Sequence, residues 1–204
     1  MGQLTGKTAL VAGAGRNNGK AISIAFAREG ADLILVAREK KDSLNDVVKE
    51  CEKLGAKVLP IMADVSEHGQ VERLVQQGLE RFGQIDVLMS CTGRRAHQDF
   101  WQISYEEWHK TFEVNLNSLF YLAKAVVPSM IKRKSGSIIA LGGNSALTAQ
   151  GSGKAAMAAS KHGLHGLIKA RDHRHEKDDR HRLEDRERAQ GRSQDRVSGA
   201  RRRS

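Results

Sequence analysis

Short apolar runs alternate with amphipathic stretches along most of the chain, and this alternation constrains the fold more than any other feature. "KTALVAG", "ADLILVA", "AKVLPIMA", "QIDVLMS" and "GSIIALG" are apolar over consecutive residues, as strands covered on both faces must be. Between them lie segments with helical periodicity. Helices are expected over about Lys20–Arg28, Ser43–Leu54, a stretch capped by Ser66 and ending at Phe82, a long stretch from Ser104 to about Ile131, and Ala155–Ala170. Gly83 sits where a helix C-terminus favours glycine, and "SYEE" at Ser104–Glu107 reads as a capping box. Repeated strand–helix–strand units require crossover connections. The expected class is therefore α/β, a doubly wound parallel sheet with helices on both faces.

"VAGAGRNNGKAIS" follows the first strand and opens the first helix. Gly13, Gly15 and Gly19 allow a tight turn that a pyrophosphate can approach. Arg16, Asn17 and Asn18 complete the loop, and the helix N-terminus offers unpaired N–H groups and partial positive charge. Glycines also serve ordinary turns, but this placement between strand and helix points to a nucleotide and a Rossmann-type domain. The second strand ends in Ala37-Arg38, where an acid would accept bonds from a ribose 2′-hydroxyl. Arg38 and Arg16 can instead hold a 2′-phosphate, which favours NADP over NAD; the competing reading is two solvated surface arginines.

The chain of 204 residues carries a net charge of +10, unevenly distributed. From Arg171 to Ser204 there are 12 Lys/Arg and 8 Asp/Glu, no aromatic residue and almost no large aliphatic one. That composition cannot offset the entropy of ordering, so a disordered or solvated tail over 171–204 is expected after a nucleotide-binding domain over 1–170. Its interleaved acids blunt the field except at Arg201–Arg203, which makes nucleic-acid binding the least favoured reading. The two cysteines, Cys51 and Cys91, lack paired spacing. No apolar run is long enough to span a membrane, and the N-terminus lacks a leader pattern; a cytoplasmic protein is expected. His162 and His165 have no carboxylate or cysteine at ligand spacing, so no metal site is expected.

The glycine spacing, "ADV" at Ala63–Val65, "VNLNSLF" at Val114–Phe120 and "SKHGL" at Ser160–Leu164 together resemble the short-chain dehydrogenase/reductase family over about residues 5–170. The likeness is to its 3-oxoacyl-carrier-protein reductases. It implies a nicotinamide cofactor and interconversion of a carbonyl and an alcohol by hydride transfer. In the family pattern TGxxxGxG, Ala12 here replaces the Thr and Asn17 the middle Gly. Asp64 with Val65 would contact the adenine. The family's NNAG, which lines the cofactor, appears as "SCTG"; the resemblance makes Ser90 and Gly93 cofactor-binding candidates, with Ser90 replacing an Asn that braces the central strands.

The family's catalytic Asn and Lys correspond to Asn115 and Lys161. The Ser falls near Gly143 or Asn144, with Ser145 one step beyond. Met157 stands where the family has its Tyr acid, and a thioether has no transferable proton. Turnover is therefore expected to be impaired, and an NADP-binding pseudoenzyme with an interaction role is the alternative. Family members continue into further strands beyond this point, so the sheet is expected to be truncated after strand five. The abrupt change after "HGLIKA" reads as translation in a wrong frame or through an unspliced segment. The resemblance also implies a homodimer or tetramer, paired through the long helix and the helix bearing Lys161.

Overall fold

In the three central strands, consecutive apolar residues become consecutive buried ones, whereas the apolar runs of the two outer described strands stay half-buried or exposed at most positions. The computed structural model describes residues 2–95, 97–143 and 153–170. Within the unit Met1–His165, strand β1 (Thr8–Ala12) is buried at all five positions. It pairs in parallel with β2 (Asp32–Ala37) on one side and β4 (Val87–Ser90) on the other. β3 (Val58–Met62) adds to β2 and β5 (Ser137–Ala140) to β4, giving the order β3-β2-β1-β4-β5. Pro60 lacks an N–H for the ladder, and it falls on β3 at the margin of this sheet, where a missing donor is tolerated. The expected parallel α/β sheet is what the structure shows.

Alternate strand residues face opposite helical layers. Ala9, Val11, Leu33, Leu35 and Met89 pack with Leu44, Val47 and Cys51, on the side of α1 (Asn17–Arg28) and α2 (Lys41–Glu52). Their neighbours Leu10, Ile34 and Leu88 point the other way and are fully buried too. On that side α3 (His68–Phe82) brings Gly78 so close to Ile34 and Ile85 that a Cβ would collide with the Ile34 side chain. Each fully buried Leu or Ile contributes on the order of 1.5–3 kcal/mol. Two covered faces thus account for the lack of alternation in β1, β2 and β4.

Helix boundaries differ from expectation in instructive ways. α1 begins at Asn17, three residues before Lys20, and Asn17 has φ 48°. Ser66 does not cap α3. The N-cap is Glu67, and the Ser66 hydroxyl instead donates to Asp64 at 2.6 Å. Gly83 does end α3 in the left-handed region, at φ 77°. Ser104 caps α4 (Tyr105–Phe112) by accepting from the Glu107 N–H at 3.1 Å. The expected long helix is broken by a π-turn at Glu113–Asn117 before α5 (Ser118–Arg133). Helix α6 starts at residue 155 and residues 155–165 complete this unit; in the second unit, residues 166–170 are helical. No helix among the described residues is long and apolar enough to cross a membrane.

Candidate functional site

The strand order reverses between β1 and β4, where the loops leaving the two strands diverge. There the carboxyl ends of the strands open into a cleft of about 990 Å³. Gly13, Gly15, Arg16, Asn17, Asn18 and Gly19 form its wall at the first turn. Gly13 has φ 81°, and its N–H and that of Ala14 bond back to Val36 O at 2.9 and 3.0 Å, which tightens the turn against β2. A Cβ on Gly19 would overlap the Gly13 carbonyl oxygen. The missing Cβ lets α1 start tightly against the turn, and the residues fit a dinucleotide, whose phosphates the first N–H groups of α1 would receive.

Asn17, at the family's middle glycine position, has a left-handed backbone with φ 48°. Asn is among the few residues that adopt this region at small cost. Asn17→Val is expected to lower stability by about 1–2 kcal/mol while Asn17→Gly is tolerated, as read from thermal unfolding.

Arg38, Asp64 and Val65 line the next part of the cleft. The Arg38 guanidinium lies 2.8 Å from Glu39 and 3.6 Å from Asp64, with its side chain 47% exposed. Asp64 also accepts from the Ser66 N–H at 3.0 Å. Burial raises the Asp64 carboxyl, but the Ser66 bonds and Arg38 outweigh it, so the carboxyl sits below its ordinary range.

At the far end lie Gly93, Met157 and Lys161. Lys161 projects from α6 and donates to Leu141 O at 2.8 Å, with Thr92 O at 3.5 Å. Burial holds its ammonium below the usual lysine range. Met157, one helical turn earlier, also lines the cleft. Neither tyrosine does. Tyr105 is 89% exposed, and the Tyr121 hydroxyl donates to Glu113 at 3.3 Å. Burial pushes the Cys91 thiol up to about 11, so it stays protonated at neutral pH and is a poor nucleophile.

Two predicted residues lie behind the cleft wall. Asn115 is buried within the π-turn, a distortion common at functional sites. It accepts from the Arg94 N–H at 2.6 Å and donates to the Ser160 hydroxyl at 3.0 Å, which links the loop after β4 to α6. Ser90, read as cofactor-lining, is only 4% exposed and stands off the wall. Its hydroxyl joins Thr92 at 3.1 Å, and Thr92 meets Ser118 at 3.3 Å. A hydroxyl relay thus ties β4 to α5. Asn144, Ser145 and the tail 171–204 lie outside the described residues.

Sequence reasoning missed the loop after Gly93. Arg94, Arg95 and His97 line the cleft as well. Arg94 makes a two-point contact with Glu107, at 2.8 and 2.6 Å, and this guanidinium holds the Glu107 carboxyl below its ordinary range. The available signal was position alone, since loops leaving the carboxyl ends of parallel strands carry ligand contacts. His162 faces outward, its Nδ1 2.9 Å from Ala158 O.

The family model "short chain dehydrogenase" matches residues 7–179. A 3-oxoacyl-[acyl-carrier-protein] reductase of Thermotoga maritima is 35% identical over 168 residues, covering 82% of this chain and 67% of that protein. Oxidoreductase UcpA of Salmonella typhimurium is 34% identical, covering 83% and 64%. The chain thus spans about two thirds of the length of these curated relatives. Among solved structures, a 7α-hydroxysteroid dehydrogenase complexed with NADH and 7-oxo glycochenodeoxycholic acid superposes with TM-score 0.79 at 27% identity, covering 83% of this chain and 65% of that one. Carveol dehydrogenase from Mycobacterium avium, in complex with NAD, gives TM-score 0.79 at 23% identity, covering 83% and 66%, a likeness of fold. With this match running through both the glycine turn and the Lys161 helix, the chain belongs to the short-chain dehydrogenase family.

Proposed function

We propose that this chain binds NADP(H) in the cleft and belongs to an oxidoreductase that interconverts a carbonyl and an alcohol, with turnover impaired by Met157. The observation that carries the reading is one continuous cleft running from the glycine turn, past Arg38, to Lys161 and Met157. Gly13, Gly15, Gly19, Asn17 and Asn18 would hold the pyrophosphate, Arg16 and Arg38 the 2′-phosphate, and Asp64 and Val65 the adenine. Gly93 and Lys161 would hold the nicotinamide ribose. When bound, the cofactor supplies the hydride. The protein must position the carbonyl and deliver a proton to its oxygen, and Met157 has no proton to give. Asn144 and Ser145 remain candidates for orienting that oxygen through an amide or hydroxyl. A cytoplasmic setting and a homodimer or tetramer are parts of the same proposal.

Arg38 decides the cofactor preference. Its pairing with Glu39 is exposed on both sides, and such a pair is worth little, so a phosphate can replace it. NADPH is expected to bind at least tenfold more tightly than NADH at low ionic strength, with the preference falling as salt is added. Fluorescence titration of both cofactors checks this. Equal affinities, or an unchanged preference in Arg38→Asp, would overturn it.

A second reading, a cofactor-binding pseudoenzyme, draws on the same Met157 observation. It is favoured if NADPH binds normally and no carbonyl substrate is reduced.

A further inference from the structure

Beyond Lys161, which the cofactor reading already uses, the far end of the cleft is lined by further basic residues. The loop after β4 runs from Gly93 through Arg94, Arg95 and His97 along the cleft wall. The Gln98 N–H donates to Gly153 O at 3.0 Å, which ties the residues beside His97 to the segment leading into α6. Arg94 is committed to Glu107. Arg95 and His97 are exposed. The carboxylates that line the cleft, Glu39 and Asp64, both stand at its other end, where they pair with Arg38. From Cys91 to Lys161 no Asp or Glu is among the described lining residues, and residues 144–152 contain no ionisable side chain.

A chain of net charge +10 places basic residues in many positions, and scattered solvated arginines would mean little. Here the two acids of a single concave site stand at one end, among Arg16, Arg38 and Lys40, while the described lining of the other end holds basic residues and no acid. A low-dielectric cleft lined by one sign of charge concentrates the opposite sign. An exposed arginine two residues beyond Gly93 can offer paired donors to a carboxylate or phosphate.

We propose that the carbonyl compound accepted here carries an anionic group, a carboxylate or a phosphate monoester, held by Arg95 and His97 while its carbonyl lies beside Met157 and Lys161. This rests on the oxidoreductase reading above for the position of the carbonyl. The full chain loaded with NADPH is titrated calorimetrically with two matched pairs, acetoacetate against methyl acetoacetate and dihydroxyacetone phosphate against dihydroxyacetone.

At least one charged member is expected to bind about tenfold more tightly than its neutral twin, as a charge-assisted bond confers. Which pair shows the difference identifies the anion. The preference should shrink with salt, survive Arg95→Lys and disappear in Arg95→Glu or His97→Glu. NADPH affinity, measured on the same samples, shows that each variant is folded. Equal binding within both pairs, or a preference untouched by both Glu substitutions, overturns the proposal. If NADPH itself does not bind, the cofactor reading fails alone, and the same pairs titrated against the free chain still decide the substrate's charge.

Discussion

Met157→Tyr is expected to raise NADPH-dependent carbonyl reduction by about 10²–10⁴-fold, the usual worth of a positioned general acid. The phenol would stand on the cleft wall one helical turn before Lys161. The buried ammonium there, bonded to Leu141 O and lacking a carboxylate partner among the described contacts, would favour the phenolate and so ease proton transfer. NADPH affinity should change little, because Lys161 and the glycine turn are untouched. Met157→Phe fills the same space without a hydroxyl and should bring no gain. Steady-state NADPH oxidation separates these cases. Robust turnover by the unmodified chain, abolished by Lys161→Ala, would show that another group delivers the proton.

The second large effect is expected at the phosphate turn. Gly19→Ala places a methyl on the Gly13 carbonyl oxygen, and both partners of that collision are backbone, so no side chain can move aside. The turn must open. NADPH binding should weaken by about 100-fold or more, and stability should fall by about 1–3 kcal/mol, the usual cost of overpacking. Gly69→Ala in the first turn of α3 is the control, since its nearest neighbour is the flexible end of Arg73 at 3.8 Å. That variant should leave binding intact and raise stability by about 0.5–1 kcal/mol. Cofactor titration together with denaturant unfolding distinguishes a local loss of the turn from general destabilisation.

Elements whose register is set by local chemistry were legible in advance. Ser104 does accept from the N–H three residues on, and Gly83 does end its helix with positive φ, because caps depend on the few residues beside them. Ser66 is not the cap because the first carbonyl of α3 to accept is that of Glu67, one residue on, while Ser66 belongs to the turn held by Asp64. The π-turn at Asn115 was not legible. It accompanies bonds from that side chain to Arg94, 21 residues away, and to Ser160, 45 residues away. No periodicity within a helix records partners so distant.

The candidate site divides in the same manner. Glycine spacing, the Lys161 position and the absence of a phenol at Met157 follow from residue identities, because hydrogen-bonding capacity and the lack of a Cβ belong to the residue itself. Parallel strands likewise follow from apolar runs, but only β1, β2 and β4 are buried, since place in the sheet decides which runs are covered on both faces. Which loops converge is a matter of tertiary structure. Only the strand order β3-β2-β1-β4-β5 brings the turn after β1 against the loop after β4 and sets Arg95 and His97 in the cleft with Lys161. Ser90 likewise turned inward, to a hydroxyl relay, because its strand position leaves it 4% exposed. Side-chain chemistry is local and can be read along the chain, whereas a charge field or a cleft is a sum over residues that meet only when the sheet assembles.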